Sequence, residues 1–216
     1  MLARQADEGF APQHQGFAVM IAIIDYKAGN LTSVKKAFDH LGAKTFITSD
    51  PAEVRHAEKI VLPGVGHFAA TKALHESGLR EAILEQIEQQ VPFLGICVGM
   101  QWMLASSEEA PDVHGLALLP GECSRFPAGV KSPHVGWNNL QIRSQPSRLL
   151  HGVAPESYVY FTHSYRVPLL AATIAECQYG GGFSAAVEQD NLFGVQFHPE
   201  KSGAAGLKIL ENFCNL

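Results

Sequence analysis

The chain has 216 residues, 46% hydrophobic and 17% charged, enough apolar material for the packed core of one large domain and with no compositional sign of disorder. Its formal net charge of -5 excludes broad electrostatic binding to nucleic acid, which needs a Lys/Arg surface to neutralise phosphates. Its cysteines, Cys97, Cys123, Cys177 and Cys214, form no C-x-x-C pair and no compact cluster, which argues against a disulfide framework or zinc site and for a reducing, cytoplasmic setting.

No apolar run reaches the ~18 residues that a membrane helix needs. Residues 1–19 mix Arg4, Asp7, Glu8, Pro12 and His14 with no sustained apolar stretch. They read as a loose, disordered extension rather than a secretory signal, and Met20 opens a domain that runs to Leu216. Ile21-Ala22-Ile23-Ile24 is a continuous apolar run, as expected of a strand covered on both faces. A turn at Lys27-Ala28-Gly29-Asn30 follows, then Leu31, Val34, Phe38 and Leu41 at helical spacing. Lys59 to Leu62 is a further buried strand, ending in Pro63-Gly64. Leu79, Ile83 and Ile87 share a helix face, and Pro92 to Ile96 is a short apolar strand that feeds a helix expected from Val98 to Ser106. Such alternation predicts βαβ units and a mostly parallel, doubly wound α/β sheet flanked by helices.

Beyond Gly115 the texture becomes β-rich. Tyr158 to Phe161, Thr173 to Tyr179, Phe183 to Val187 and Leu192 to Phe197 are separated by short Gly- or Pro-containing turns, and a last helix is expected from Ala204 to Phe213. The predicted architecture is one α/β domain with a smaller antiparallel β addition.

Gly95-Ile96-Cys97-Val98-Gly99, between a strand and a helix, has the form of a nucleophile elbow with Cys in place of Ser. Flanking glycines allow a turn too tight for side chains, and the helix N-terminus behind it favours the reactive thiolate. Cys123, Cys177 and Cys214 lack that context and read as small buried hydrophobes. A nucleophilic cysteine needs a base. His198 ends the apolar strand Gly194 to Phe197, and Glu200 follows it across a rigid Pro199, a spacing suited to orienting the imidazole. His14, His40, His56, His75, His114 and His151 have no such setting and read as surface or satisfied core residues.

Pro63-Gly64-Val65-Gly66-His67-Phe68-Ala69 also follows a strand. It fits G-x-G-x-x-A, a dinucleotide fingerprint, but follows the third strand and not the first. The better reading is a flexible turn whose amides face Cys97, where with the Val98 amide they would hold a tetrahedral oxyanion; spacing alone also allows a plain βα turn.

Gly95 to Gln101 together with His198-Pro199-Glu200 resembles the class I (triad) glutamine amidotransferases. Ile24-Asp25-Tyr26-Lys27-Ala28-Gly29-Asn30, Pro63 to Gly66, Pro133-His134-Val135-Gly136-Trp137-Asn138 and His198 to Ser202 narrow the resemblance to glutaminase subunits of imidazole glycerol phosphate synthase, in histidine biosynthesis. The resemblance implies Cys97 as nucleophile, His198 as proton shuttle and Glu200 as its orienter. It implies that Gln101, Glu109, Ser164 and Tyr165 hold glutamine, that Gly64 and Val65 form a turn that reorganises, and that Trp137, Tyr160 and Lys201 face the synthase. No metal and no cofactor is implied. The implied partner, in a heterodimer, is a (βα)8 cyclase that receives ammonia through a tunnel and makes imidazole glycerol phosphate and an aminoimidazole carboxamide ribotide. Lys27, Val98 and Val135 depart from the commoner Gly, Leu and Met. Three other readings stay open: an amidotransferase subunit for purine, pyridoxal or anthranilate synthesis, a non-catalytic glutamine-binding relative, and a cysteine peptidase or γ-glutamyl hydrolase of similar fold.

Overall fold

The computed structural model describes residues 19–143 and 146–216; the extension expected over 1–19 falls, except for Val19, outside the described residues. In chain order the strands are β1 (Met20–Ile24), β2 (Lys44–Thr48), β3 (Lys59–Gly64), β4 (Phe93–Cys97), β5 (Ser106–Ser107), β6 (Glu122–Arg125) and β7 (His134–Asn139). They continue as β8 (Gln141–Ile142), β9 (Tyr158–His163), β10 (Tyr165–Arg166), β11 (Thr173–Gln178), β12 (Gly182–Gln189) and β13 (Leu192–Val195). The α-helices are α1 (Leu31–His40), α2 (Pro51–Val54), α3 (Lys72–Glu76), α4 (Leu79–Glu88), α5 (Val98–Gln101) and α6 (Gly203–Cys214).

Eight strands form the main sheet in the order β2-β1-β3-β4-β13-β12-β11-β8. Pairing is parallel from β2 through β13 and antiparallel from β13 to β8, so the parallel sheet and its antiparallel addition are one surface. β3 and β4, at its centre, are buried at every residue, which is why their sequences show no polar alternation. Helices cover the sheet through narrow apolar stripes: α1 buries Val34, Ala37 and Phe38, and α4 buries Leu79, Ala82, Ile83, Gln86 and Ile87. α6 is moored by a buried charge. Lys59 Nζ donates to the carbonyls of Phe213, Cys214 and Leu216 at 3.0, 2.7 and 2.8 Å, where the negative end of the helix favours a cation.

Two expectations are corrected. The helix expected from Val98 to Ser106 ends at Gln101. Carbonyls of Trp102, Met103 and Leu104 bond instead to the amides of Leu116, Leu118 and Ala117, so tertiary pairing takes the acceptors that another helical turn needs. The strand expected to reach Phe197 stops at Val195, because beyond it the chain leaves β4 and the His198 amide bonds the Tyr160 carbonyl on β9 at 2.9 Å. β9 itself pairs with β7 in a separate two-stranded ribbon.

Candidate active site

Register places the site at the carboxyl edge of the parallel strands. Cys97 lies beside Gly64 of β3, and Ile96 beside Val195 of β13, three residues before His198. Such edges are where sites assemble in wound sheets. Cys97 has φ 56° and ψ -108°, a conformation that costs a non-glycine residue ~1–3 kcal/mol and persists only when its surroundings impose it. They do: a Cβ on Gly99 would overlap the Leu62 carbonyl, and one on Gly95 would overlap the backbone of Gly99 and Met100. The elbow is therefore jammed against β3, and only glycines fit.

His198 and Glu200 meet across the Pro199 turn, with Nδ1 2.9 Å from Oε1 and side chains only 2% and 1% exposed. An ionised carboxylate can only accept, so Nδ1 carries the proton and Nε2 is the nitrogen open to exchange. Burial disfavours the imidazolium, but Cys97 and Glu200 outweigh it and raise the His198 pKa to about 9. Among the described residues Nε2 has no hydrogen-bond partner, and Cys97 lies close enough to raise its pKa. Cys123, Cys177 and Cys214 are buried, and burial raises each thiol, Cys177 and Cys214 to about 12, consistent with inert packing residues.

Beside Cys97 opens a cavity of about 250 Å³, below the usual ~300–1,000 Å³ of drug-sized sites and suited to a small molecule. Val65, Cys97, Val98, Gln101, Glu109, Ser164 and Tyr165, all expected from sequence, line it. Gly66, from the turn expected to face Cys97, lines it as well, as do Pro133, Thr162 and His163, which were not expected. Glu109 Oε2 accepts the Phe68 amide at 2.7 Å and so braces the segment after the glycine turn. The Val65 amide, expected to face Cys97, instead donates to the Ala28 carbonyl at 3.0 Å. It must be released before it can serve an oxyanion. Ala28 follows Lys27, whose φ of 70° lies in the left-handed region that favours glycine. Asp25 supports the strained residue by accepting its amide at 2.9 Å and facing its Nζ at 3.3 Å.

Trp137, Tyr160 and Lys201 form one surface cluster. The Trp137 and Tyr160 rings meet edge-on at 6.0 Å, and Lys201 Nζ lies 5.8 Å from the centre of the Tyr160 ring. Trp137 is 56% exposed, so it does not fill the core, and Val135 and Tyr158 are exposed on the same ribbon. The cluster reaches the base: Ser202 Oγ accepts the Tyr160 amide at 3.0 Å and donates to the His198 carbonyl at 2.6 Å.

Comparison with known proteins gives the family of the chain. The family model "Glutamine amidotransferase class-I" matches residues 22–216. The chain belongs to the class I glutamine amidotransferases. The imidazole glycerol phosphate synthase subunit HisH of Methanothermobacter thermautotrophicus is 50% identical over 198 residues, which cover 91% of this chain and 98% of that protein. HisH of Moorella thermoacetica is 47% identical, covering 91% and 94%. Among solved structures, a glutamine amidotransferase superposes with a TM-score of 0.71 at 16% identity over 90% of this chain and 99% of its own. PurLQS from Thermotoga maritima gives 0.70 at 17%, over 91% and 98%. Both establish the shared fold.

Within this amidotransferase, Gln196 is a further residue beside Cys97 that sequence reasoning passed over. Its Nε2 lies 3.7 Å from Cys97 Sγ, and its neighbours His198 and Glu200 drew attention for their chemistry while an amide between apolar residues did not. His40, His56, His114 and His151 are exposed, in line with their expected surface roles, whereas His14 lies outside the described residues. Among the described residues no helix is long and apolar enough to cross a membrane.

Proposed function

We propose that this amidotransferase hydrolyses glutamine to glutamate and ammonia as the glutaminase subunit of an imidazole glycerol phosphate synthase, with Cys97, His198 and Glu200 as its catalytic residues. The observation that carries the reading is the strained Cys97 elbow facing the buried His198–Glu200 pair, with an amino-acid-sized cavity alongside. His198 Nε2 takes the Cys97 thiol proton as the sulfur attacks the side-chain amide carbon, forming a C–S bond while the carbonyl oxygen becomes an oxyanion. The Val98 amide and a released Val65 amide serve as its donors. Collapse breaks the C–N bond, and His198 Nε2 gives its proton to the departing ammonia. Water, deprotonated by the same nitrogen, then cleaves the thioester to glutamate and restores the thiol. Glu200 keeps the imidazole in the Nδ1–H form and stabilises its charge.

Gln101, Glu109, Ser164 and Tyr165 hold the substrate. The exposed patch around Trp137, Tyr160 and Lys201 is the docking face for a (βα)8 cyclase, which takes the ammonia directly. High identity to HisH chains over nearly their full length supports that partner over other synthases. A diazoketone analogue of glutamine tests the nucleophile: mass mapping of the treated chain is expected to find the label on Cys97. Label on another cysteine, or equal labelling of Cys97→Ser, would overturn the assignment.

A further inference from the structure

From the wall of the cavity a buried polar run leads away toward β7, and the proposed bond-making steps do not involve it. The Tyr165 carbonyl accepts from His163 Nδ1 and from Gln101 Nε2, each at 2.8 Å. A carbonyl cannot donate, so both orientations are forced: His163 carries its proton on Nδ1, and Gln101 turns its NH2 toward Tyr165. Gln101 gives its other hydrogen to Gln196 Oε1 at 3.2 Å, which aims Gln196 Nε2 at Cys97 Sγ, 3.7 Å away. In the opposite direction, neutral His163 has only Nε2 left, as an acceptor, and His134 Nδ1 lies 3.2 Å from it. His134 therefore also carries its proton on Nδ1. Its Nε2 then accepts from Asn138 Nδ2 at 3.4 Å.

We propose that the His134–His163 pair is a positioning element, tying the strand that bears Trp137 to the glutamine cavity and to Cys97 through one direction-fixed chain of hydrogen bonds. The proposal rests on the amidotransferase reading of Cys97. Every member has one possible orientation, because the chain is anchored at a carbonyl that can only accept. Burial supports it by holding both rings neutral, His134 at about 4 and His163 at about 3. Packing supports it too. The His134 ring is stacked between Tyr179 at 3.9 Å and Phe161 at 4.8 Å, so it cannot rotate out of the chain without losing both faces.

Two consequences reach the chemistry. With both Nε2 hydrogens committed, Gln101 offers a ligand only its Oε1, an acceptor suited to the ammonium of an amino acid. The Gln196 amide gives the sulfur a hydrogen-bond donor on the side of the cavity wall. His134 and Trp137 share β7, so a shift of that ribbon reaches the cavity through side chains that each have a single hydrogen-bonded arrangement.

The test uses the full chain. Two-bond proton–nitrogen spectra of histidine-labelled protein at pH 7 are expected to find both rings neutral with the proton on Nδ1; the opposite tautomer at either ring overturns the proposal. His134→Phe keeps a ring in the stack but removes both bonds, whereas His134→Asn returns an amide N–H near the position of Nδ1. Capture of Cys97 by the diazoketone analogue is expected to slow about tenfold in His134→Phe, as for loss of one buried hydrogen bond, and to recover in His134→Asn. A Phe variant as fast as the parent, or an Asn variant as slow as the Phe variant, contradicts the coupling. If the parent chain resists the analogue altogether, the amidotransferase reading fails instead, and the tautomers alone decide whether the hydrogen-bond chain exists.

Discussion

The two flanks of Cys97 differ in readiness. On the β13 side, Glu200 already holds His198 at 2.9 Å in a buried pair. On the β3 side, the Val65 amide is bonded to Ala28 at 3.0 Å. On the proposed reading, the acid–base pair is thus part of the resting fold, while oxyanion support waits on the turning of one peptide. The contrast follows from energetics. A buried carboxylate and imidazole left apart would cost several kcal/mol, so they are kept together at all times. A backbone amide can exchange one carbonyl for another acceptor at little cost, which makes it the cheaper part to gate.

The ready flank is broken most severely at its sulfur. Cys97→Ala is expected to lower glutamine turnover by on the order of 10⁴-fold or more, while the synthase complex still runs on added ammonia. Glutamate release and ammonia-driven product formation, measured side by side, check this. Glu200→Gln is expected to cost ~10³–10⁴ in turnover, because the imidazole loses its enforced tautomer. It should also lower the His198 pKa from about 9, as should Cys97→Ala, since both groups raise it; NMR titration of the ring reads the shift.

Acid stability probes the support behind the site. His134 and His163 have folded pKa values depressed from 6.5 to about 4 and about 3, so the unfolded chain binds protons first as the pH falls. Their contribution is present above pH 6.5 and is lost progressively toward pH 4 and 3. Urea midpoints across that range are expected to fall, and His134→Phe to flatten the fall. The smallest effect concerns the latched flank. Lys27→Gly relieves a φ of 70° next to the residue whose carbonyl holds Val65, and is expected to change stability by no more than ~1 kcal/mol, in the stabilising direction. Denaturant midpoints at neutral pH would measure it.

Legibility in the sequence followed the locality of the forces. β1, β3 and β4 were readable because strands buried on both faces need unbroken apolar runs, and α6 because its apolar spacing is helical. α5 was overestimated because carbonyls just beyond it are taken by residues 116–118, a choice that no local propensity records. The β7 strand was missed as a strand: its exposed Val135 and Trp137 blur the usual alternation. At the site, Cys97 and His198–Pro199–Glu200 stood out because glycines and a proline at fixed spacing leave a local signature. Gln196 and His134 did not, since their meaning comes from partners far along the chain, Gln101 and His163. The direction in which the Val65 amide points is likewise a tertiary fact, set by the Ala28 carbonyl.

On the proposed reading, a finished acid–base pair waits on an unfinished oxyanion site. The most direct test is glutamate release from glutamine by the purified chain, alone and then with a (βα)8 cyclase and its ribotide substrate. Weak release alone is expected, with stimulation of at least ~10²–10³, the worth of one oxyanion donor, abolished by Cys97→Ala. Full activity of the chain by itself would contradict that reading.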